Sequence, residues 1–452
     1  MSAFNSKQHV LFSLRHAKYL PTPYEPEDAN RMTLAYFCIS ALALLPCPSS
    51  DPAARTSDRR SALETMLRPV QRQGFVDWVY QQQLASGGFR GSDSMALPPT
   101  LTAILSSPVT FSSPVASSSR SKLDPPNIIQ SYTAILILAL LDDPLDDLDR
   151  SGLLRLVGQC QNSDGSFSLF PESQEPGDPR STYSAFAIAS MLNDWSTINV
   201  DTALKFLDSC RTYEGAFAQR PHLEANAGPT YCAIASYYLC DRLSDLRSRP
   251  TLLRWLLHRQ ISPDSHTSPP RSPSSIPSSR DSEDPGDDEG EDQDDYEETH
   301  RLALALRRSA GFQGRTNKPL DACYSFWSLG ALRLLVPDPH EFASTLDPTL
   351  NSEYLLACQH PLYGGIAREP GAVPDVYHSY LGLAALSIGQ PRPPPSPVPA
   401  PTATTTTVHE REGIDLGLGQ LDVAWNVEEQ VAKRIRDRIE GLQERDRRRE
   451  SP

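Results

Sequence analysis

Three residues of metal-ligating type stand in two related segments: Asp321 and Cys323 in PLDACYSFW, and His378 in PDVYHSYLG. A carboxylate, a thiolate and an imidazole that share one ion and leave a fourth position open form the donor set of a catalytic Zn²⁺ site. Two of the three also have an ordinary reading. A single cysteine most often serves as a small buried hydrophobe, and Asp321 stands where a helix N-cap belongs. Just upstream, GFQGRTNKPL sets two cations, Arg315 and Lys318, beside this group, and Tyr324 adds a hydroxyl. Cations combined with helix N-termini bind diphosphate; otherwise the two side chains are solvated turn residues. Arg180 takes the place of Cys323 in an earlier copy of the pattern. Phe37, Tyr132, Tyr183, Phe186 and Trp327 supply aromatic surface, either lining a cavity for a long apolar ligand or packing a core.

A repeat of about fifty residues positions these groups. An Asx residue is followed four places later by Ser or Thr, then an aromatic, then an apolar run. The copies start at Asn127, Asp178, Asn226, Asp321 and Asp375, and a weaker one includes Thr33 in RMTLAYFCISALALL. A Gly-containing turn precedes each of the five: GGF at 87–89, GSF at 165–167, GAF at 215–217, GF at 311–312 and GGI at 364–366. Each unit therefore reads as helix, turn, helix, with Asp or Asn capping the second helix. The second helices are apolar nearly all round, so they must be buried on every side. Six such hairpins predict a closed all-α ring, an α-α toroid, with the inner N-termini at one rim. Converging helix dipoles favour an anion there.

Composition excludes several classes. The 452 residues carry a net charge of −14, which argues against nucleic acid as partner. Twelve of the acidic residues fall in 281–300, so the remainder is close to neutral. Residues 92–126 and 261–308, rich in Ser, Pro and charge, read as insertions, the second disordered by composition. Eight scattered cysteines without a CxxC pair fit a reduced, cytoplasmic setting. The N-terminus has no apolar signal core. The C-terminus lacks a lipidation box, and apolar runs such as 132–141 are too short to span a bilayer. A Pro/Thr-rich linker is expected over 391–418, and a C-terminal helix over 419–452. Val427, Val431, Ile435, Ile439 and Leu442 form its stripe, which either docks on the barrel within 1–390 or makes a coiled coil.

GFQGRTNKPLDACYSFW and GGIAREPGAVPDVYHSYLGLAAL resemble the β subunits of protein prenyltransferases, over most of 10–390 outside the insertions. The resemblance implies a heterodimer with a helical-repeat α subunit and Zn²⁺ held by Asp321, Cys323 and His378. It implies a diphosphate pocket with Arg315, Lys318 and Tyr324, and a lipid and peptide cavity lined by Arg180, Tyr183 and Trp327. Farnesyltransferases of the family carry Trp where this chain has Thr33. The smaller residue leaves room for a fourth isoprene unit, as in the type I geranylgeranyl enzymes. Arg368 falls where farnesyltransferases place an Asp that helps bind Mg²⁺. A built-in cation there implies that Mg²⁺ is not required. RHAKYL and RMTLAYF also look like the type I β subunit, and YSFW fits farnesyl and type I enzymes better than the Rab-directed enzyme.

Two positions depart from that pattern. Asn226 replaces the family's diphosphate-binding His; it still donates a hydrogen bond but carries no charge. Tyr377, beside His378, is more farnesyl-like. The expected reaction is transfer of geranylgeranyl from its diphosphate to the cysteine of a C-terminal C-a-a-X box, mostly with Leu at X, in proteins such as Rho-type small GTPases. Two alternatives stand beside it: a farnesyltransferase β subunit, and a catalytically weakened helical-ring scaffold that binds the α subunit.

Overall fold

Helices without a polar face are stable only when other helices surround them, and here six of them surround one another. The computed structural model describes residues 3–48, 60–95, 125–173, 175–262, 309–391 and 414–450. In chain order its helices are α1 (Ser6–Lys18), α2 (Arg31–Leu44), α3 (Ala62–Met66), α4 (Pro69–Gln81), α5 (Ile128–Leu140), α6 (Arg150–Cys160), α7 (Pro179–Met191), α8 (Val200–Ser209), α9 (Ala227–Leu239), α10 (Arg249–Leu257), α11 (Ala322–Leu335), α12 (Pro339–Thr345), α13 (Pro348–Ala357), α14 (Val376–Gly389) and α15 (Glu429–Glu450). The inner set is α2, α5, α7, α9, α11 and α14. Each packs on the next, and α14 returns to α2, closing the ring. Twelve of the thirteen residues of α5 are buried.

The two sequence signatures meet in space. Ser131 Oγ accepts Phe89 N–H at 2.9 Å, Thr230 Oγ1 accepts Phe217 N–H at 3.0 Å, and Ser379 Oγ accepts Ile366 N–H at 2.9 Å. The hydroxyl of the Asx-x-x-x-Ser/Thr motif thus ties an inner helix to the turn before it. Glycine is required in that turn at Gly165, which has φ of +90°. A Cβ there would also lie 2.1 Å from the Thr202 carbonyl oxygen. Ring closure is held by buried His9, which faces Gln359 Oε1 at 3.2 Å through Nε2 and accepts Gly365 N–H at 3.1 Å through Nδ1.

Most of both insertions and of the linker lies outside the described residues: 96–124, 263–308 and 392–413. The ends of the second insertion are drawn together, since β1 (Gln260–Ile261) pairs antiparallel with β2 (Gly311–Phe312). The C-terminal helix begins at Glu429, ten residues later than the expected start. Before it, β3 (Leu421–Asp422) and β4 (Val427–Glu428) form a hairpin. Its tip is fixed by Asp422 Oδ1, which accepts the N–H groups of Ala424 and Trp425 at 3.0 Å each. Such an Asx turn competes with helix. Helix α15 lies on α5 and α7 with Val431, Ile435, Ile439 and Leu442 buried. Among the described residues, no helix is long and apolar enough to cross a membrane.

Candidate active site

Asp321, Asp375, Asn226, Asp178 and Asn127 each cap an inner helix, so the chemistry sits on rigid helix starts. Asp321 Oδ1 accepts Cys323 N–H at 2.9 Å. That cap places the Cys323 thiol in the first turn of α11. His378 occupies the first turn of neighbouring α14, and its Nε2 lies 3.3 Å from Asp321 Oδ1. One ligand atom from each of Asp321, Cys323 and His378 falls within 4.8 Å of the others. The arrangement fits a metal ion: three different donors converge, and the second imidazole nitrogen is already engaged.

That engagement belongs to Asp375, which the sequence reading treated only as a cap. Its Oδ1 accepts His378 N–H at 2.9 Å, and its Oδ2 accepts Nδ1–H at 2.6 Å. A carboxylate on Nδ1 fixes the ring and leaves Nε2 as the ligand atom, as ligating histidines generally require. A histidine three residues after an Asx cap is the sequence signal that would have found this pair.

Electrostatics follow from the geometry. Burial disfavours the His378 cation, but hydrogen bonds to Asp321 and Asp375 outweigh it and raise the pKa to about 9. Burial likewise opposes ionisation of Asp321, yet bonds from His378 and Cys323 hold its carboxyl below the usual range. The Cys323 thiol is pushed well above its ordinary value by burial and by the Asp321 charge. Without metal, the group is therefore a carboxylate, an imidazolium and a thiol.

Of the candidate diphosphate residues, Tyr324 lies beside it. Tyr324 follows Cys323 on α11, with its ring against Gly314; a Cβ on Gly314 would sit 1.9 Å from the ring. Burial raises the Tyr324 pKa against a hydrogen bond from the Asn226 side chain. Asn226 also accepts Gly228 N–H at 3.0 Å, capping α9. Arg315 is half exposed and pairs with Glu224 at 3.2 Å, a partner not anticipated from sequence. Lys318 is exposed. Arg368 extends toward the candidate metal ligands, 3.9 Å from Asp321 Oδ2.

The remaining predicted residues are more dispersed. Arg180, at the rim of α7, pairs with its own cap Asp178 at 2.5 Å. Trp327 donates from Nε1 to Tyr377 Oη at 3.3 Å and packs on Tyr231. Thr33 turns toward α5, where its hydroxyl donates to Gln130 Oε1 at 3.0 Å. Tyr183 faces the barrel interior, but its hydroxyl is engaged by Ala424 O at 3.0 Å.

Comparison with known proteins agrees with this architecture. The model of the prenyltransferase alpha-alpha toroid domain matches residues 4–427. The geranylgeranyl transferase type-1 subunit beta of Dictyostelium discoideum is 31% identical over 405 residues, covering 86% of this chain and 92% of the relative. Its counterpart in Arabidopsis thaliana is 28% identical, covering 85% of each. The protein farnesyltransferase subunit beta of Schizosaccharomyces pombe is 26% identical, covering 85% of this chain and 78% of the relative. The solved structure of Candida albicans protein geranylgeranyltransferase-I complexed with GGPP shares the fold. It has a TM-score of 0.63 at 21% identity, over 96% of this chain and 99% of that one. A match that runs through all six helical units, with relatives aligned over nearly their whole length, assigns the chain to the prenyltransferase α-α toroid family, as an enzyme of the protein prenyltransferase β-subunit type.

Proposed function

We propose that the chain is the catalytic β subunit of a zinc-dependent type I protein geranylgeranyltransferase. On this reading it works with an α subunit in the cytoplasm. Substrate proteins end in C-a-a-X with Leu favoured at X, Rho-type small GTPases among them. The observation that carries this reading is the convergence of Asp321, Cys323 and His378 at a barrel rim. It is supported by Tyr324, next to Cys323 on α11 and acted on by the Arg315 charge, and by the aromatic side chains of Trp327 and Tyr377 near the group. The type-1 names of two relatives support the lipid assignment, as does Thr33 in place of a Trp. Eight free cysteines fit a reducing compartment.

Asp321, Cys323 and His378 would hold Zn²⁺, which when bound lowers the pKa of a substrate thiol so that a thiolate is present at neutral pH. The thiolate sulfur attacks C1 of geranylgeranyl diphosphate. A C–S bond forms, the C1–O bond breaks, and diphosphate leaves with the electron pair. Arg315, Lys318 and the Tyr324 hydroxyl stabilise that growing charge, together with the N-terminus of α9. Arg368 supplies positive charge where Mg²⁺ would otherwise act. Asp375 keeps the His378 ring oriented, and Asn226 positions the Tyr324 hydroxyl.

The test is a lipid competition on the heterodimer, with a Leu-ending peptide and equal farnesyl and geranylgeranyl diphosphate. Preferential geranylgeranylation is expected, with about one Zn²⁺ per chain. Preference for farnesyl would move the protein to the farnesyltransferases, and a metal-free, inactive heterodimer would leave the scaffold reading.

A further inference from the structure

The two cations assigned to diphosphate stand at the corners of one tight turn. Lys318 N–H donates to Arg315 O at 3.4 Å, so Arg315 and Lys318 are the first and last residues of a β-turn. That geometry keeps their Cα atoms within about 7 Å of each other. The central residues are Thr316 and Asn317. Asn317 has φ of +57°, in the left-handed region that Asn tolerates better than most residues. The turn is exposed from Thr316 to Lys318, and ordering it together with two long side chains at the moment of binding would cost conformational entropy.

The turn is fixed in advance by Arg259, which follows the end of α10. Arg259 Nη1 donates to Thr316 Oγ1 at 2.9 Å. Its Nε donates to Trp255 O at 3.3 Å, and the guanidinium lies over the Trp255 ring at 4.8 Å. The Arg259 carbonyl accepts Gln313 N–H at 2.9 Å. Buried Gln313 then spans the segment, donating from Nε2 to Lys318 O at 2.5 Å. Arg259 thus holds the start of 313–318 through its main chain and the middle through its side chain, while Gln313 holds the end. Glu214, in the Gly-containing turn of the preceding unit, completes the network. Its Oε2 accepts the Thr316 hydroxyl at 3.3 Å and Trp255 Nε1–H at 3.0 Å. The Thr316 hydroxyl therefore accepts from a cation and donates to a carboxylate.

Placing a guanidinium there is costly. Arg259 is only 6% exposed. Burial opposes its charge, and Glu214 supports it from beyond the shared hydroxyl. An apolar side chain of similar length would fill the same space over Trp255 without the desolvation cost. It could not donate to Thr316. The use of the guanidinium therefore lies in where it points, at the central residue of the turn that carries Arg315 and Lys318.

We propose that Arg259 is a positioning residue for the diphosphate group: acting through Thr316, it sets the turn on which Arg315 and Lys318 stand. The inference rests on the lipid-diphosphate reading above. Arg259 is buried behind the turn and works on the two cations through the main chain. With the turn already held, less order has to be imposed when diphosphate arrives, and a small displacement of the cations is enough to weaken the stabilisation of the leaving group. The effect is confined to the diphosphate end of the site, because the metal-ligating residues are placed by the caps of α11 and α14.

Variants of the heterodimer with the α subunit test this: Arg259→Met, Thr316→Val and the two combined. Met keeps an unbranched stem against Trp255 but has no donor, and Val keeps the shape of Thr without its hydroxyl. The probe is inorganic diphosphate, used as an inhibitor competing with the lipid diphosphate. Its Ki is measured together with kcat/KM for the lipid diphosphate, KM for a Leu-ending peptide and zinc content. In Arg259→Met, Ki should rise and kcat/KM for the lipid should fall about tenfold. Thr316→Val should show about a fivefold change in each. The double variant should be no worse than Arg259→Met, because both substitutions break the same bond. Peptide KM and zinc content should stay within about twofold of wild type, since neither depends on the turn. A merely structural role would lower Tm and move the peptide and lipid parameters together. That outcome, an unchanged Ki in the variants, or losses that multiply in the double variant would overturn the proposal. If Arg259→Met does not form the heterodimer, Thr316→Val, on an exposed turn, decides alone. Failure of the diphosphate reading is seen separately, in the wild type, where inorganic diphosphate would not inhibit at all.

Discussion

Thr33→Trp is the substitution most informative about lipid choice. Thr33 is the third residue of α2 and is partly buried at the barrel wall, its hydroxyl 3.0 Å from Gln130 Oε1. An indole there fills the space assigned to the fourth isoprene unit. That unit has five carbons, and burial is worth about 0.8 kcal/mol per CH₂, so about 4 kcal/mol is at stake. At 1.4 kcal/mol per decade this is about a 10³-fold change in relative kcat/KM toward farnesyl diphosphate. Repacking of the wall reduces it, and a shift of at least tenfold is expected. The assay is the two-lipid competition with a Leu-ending peptide. The substitution also removes the hydroxyl's bond to Gln130, which is worth about 1 kcal/mol of stability. Thr33→Val isolates that loss: its Tm should fall slightly while lipid preference stays as in wild type. If Thr33→Trp keeps its Tm and shifts the ratio less than threefold, Thr33 does not border the terminal isoprene and the lipid assignment loses its main support.

Three further outcomes follow from the site. Asp375→Asn keeps an N-cap, since Asn caps as well as Asp, but removes the charge on His378 Nδ1. Zinc affinity should fall about 10–100-fold with little change in Tm, read by chelator competition. In the metal-free protein His378, with its pKa raised to about 9, is protonated at pH 7, and Cys323 is a thiol. Both must lose a proton to bind metal, so log K for Zn²⁺ should rise by about 2 per pH unit between about pH 6 and 8 and fall on acidification; a flat profile would contradict these protonation states. Asn226→His adds a chargeable donor next to Tyr324. It should tighten lipid diphosphate binding about tenfold at pH 6 and less at pH 8, measured as Kd, and equal affinity at both would place Asn226 outside the diphosphate pocket.

Much of this site was legible because its determinants are local. An Asx cap followed by an apolar run marks a helix start from four or five residues. Five such starts and a weaker sixth imply a ring, and the adjacency of two helix starts in it brings Asp321 and Cys323 within reach of His378. The same local rule hid the second role of Asp375, whose Oδ2 engages the His378 ring while Oδ1 performs the visible capping. Arg315 gave no sign of its pairing with Glu224, because the two are 91 residues apart and exposed.

By itself, the sequence determined the helical hairpins, the order of the ring and the residue types at its rim, since periodicity and capping are properties of neighbouring residues. The floor of the barrel was decided only in three dimensions. Its partners are tyrosine hydroxyls from five helices and the main-chain carbonyls of residues 423–426. Carbonyl oxygens are common to every residue and leave no mark in a sequence. The tyrosines looked like core aromatics until a segment 46 to 390 residues away along the chain satisfied their hydroxyls.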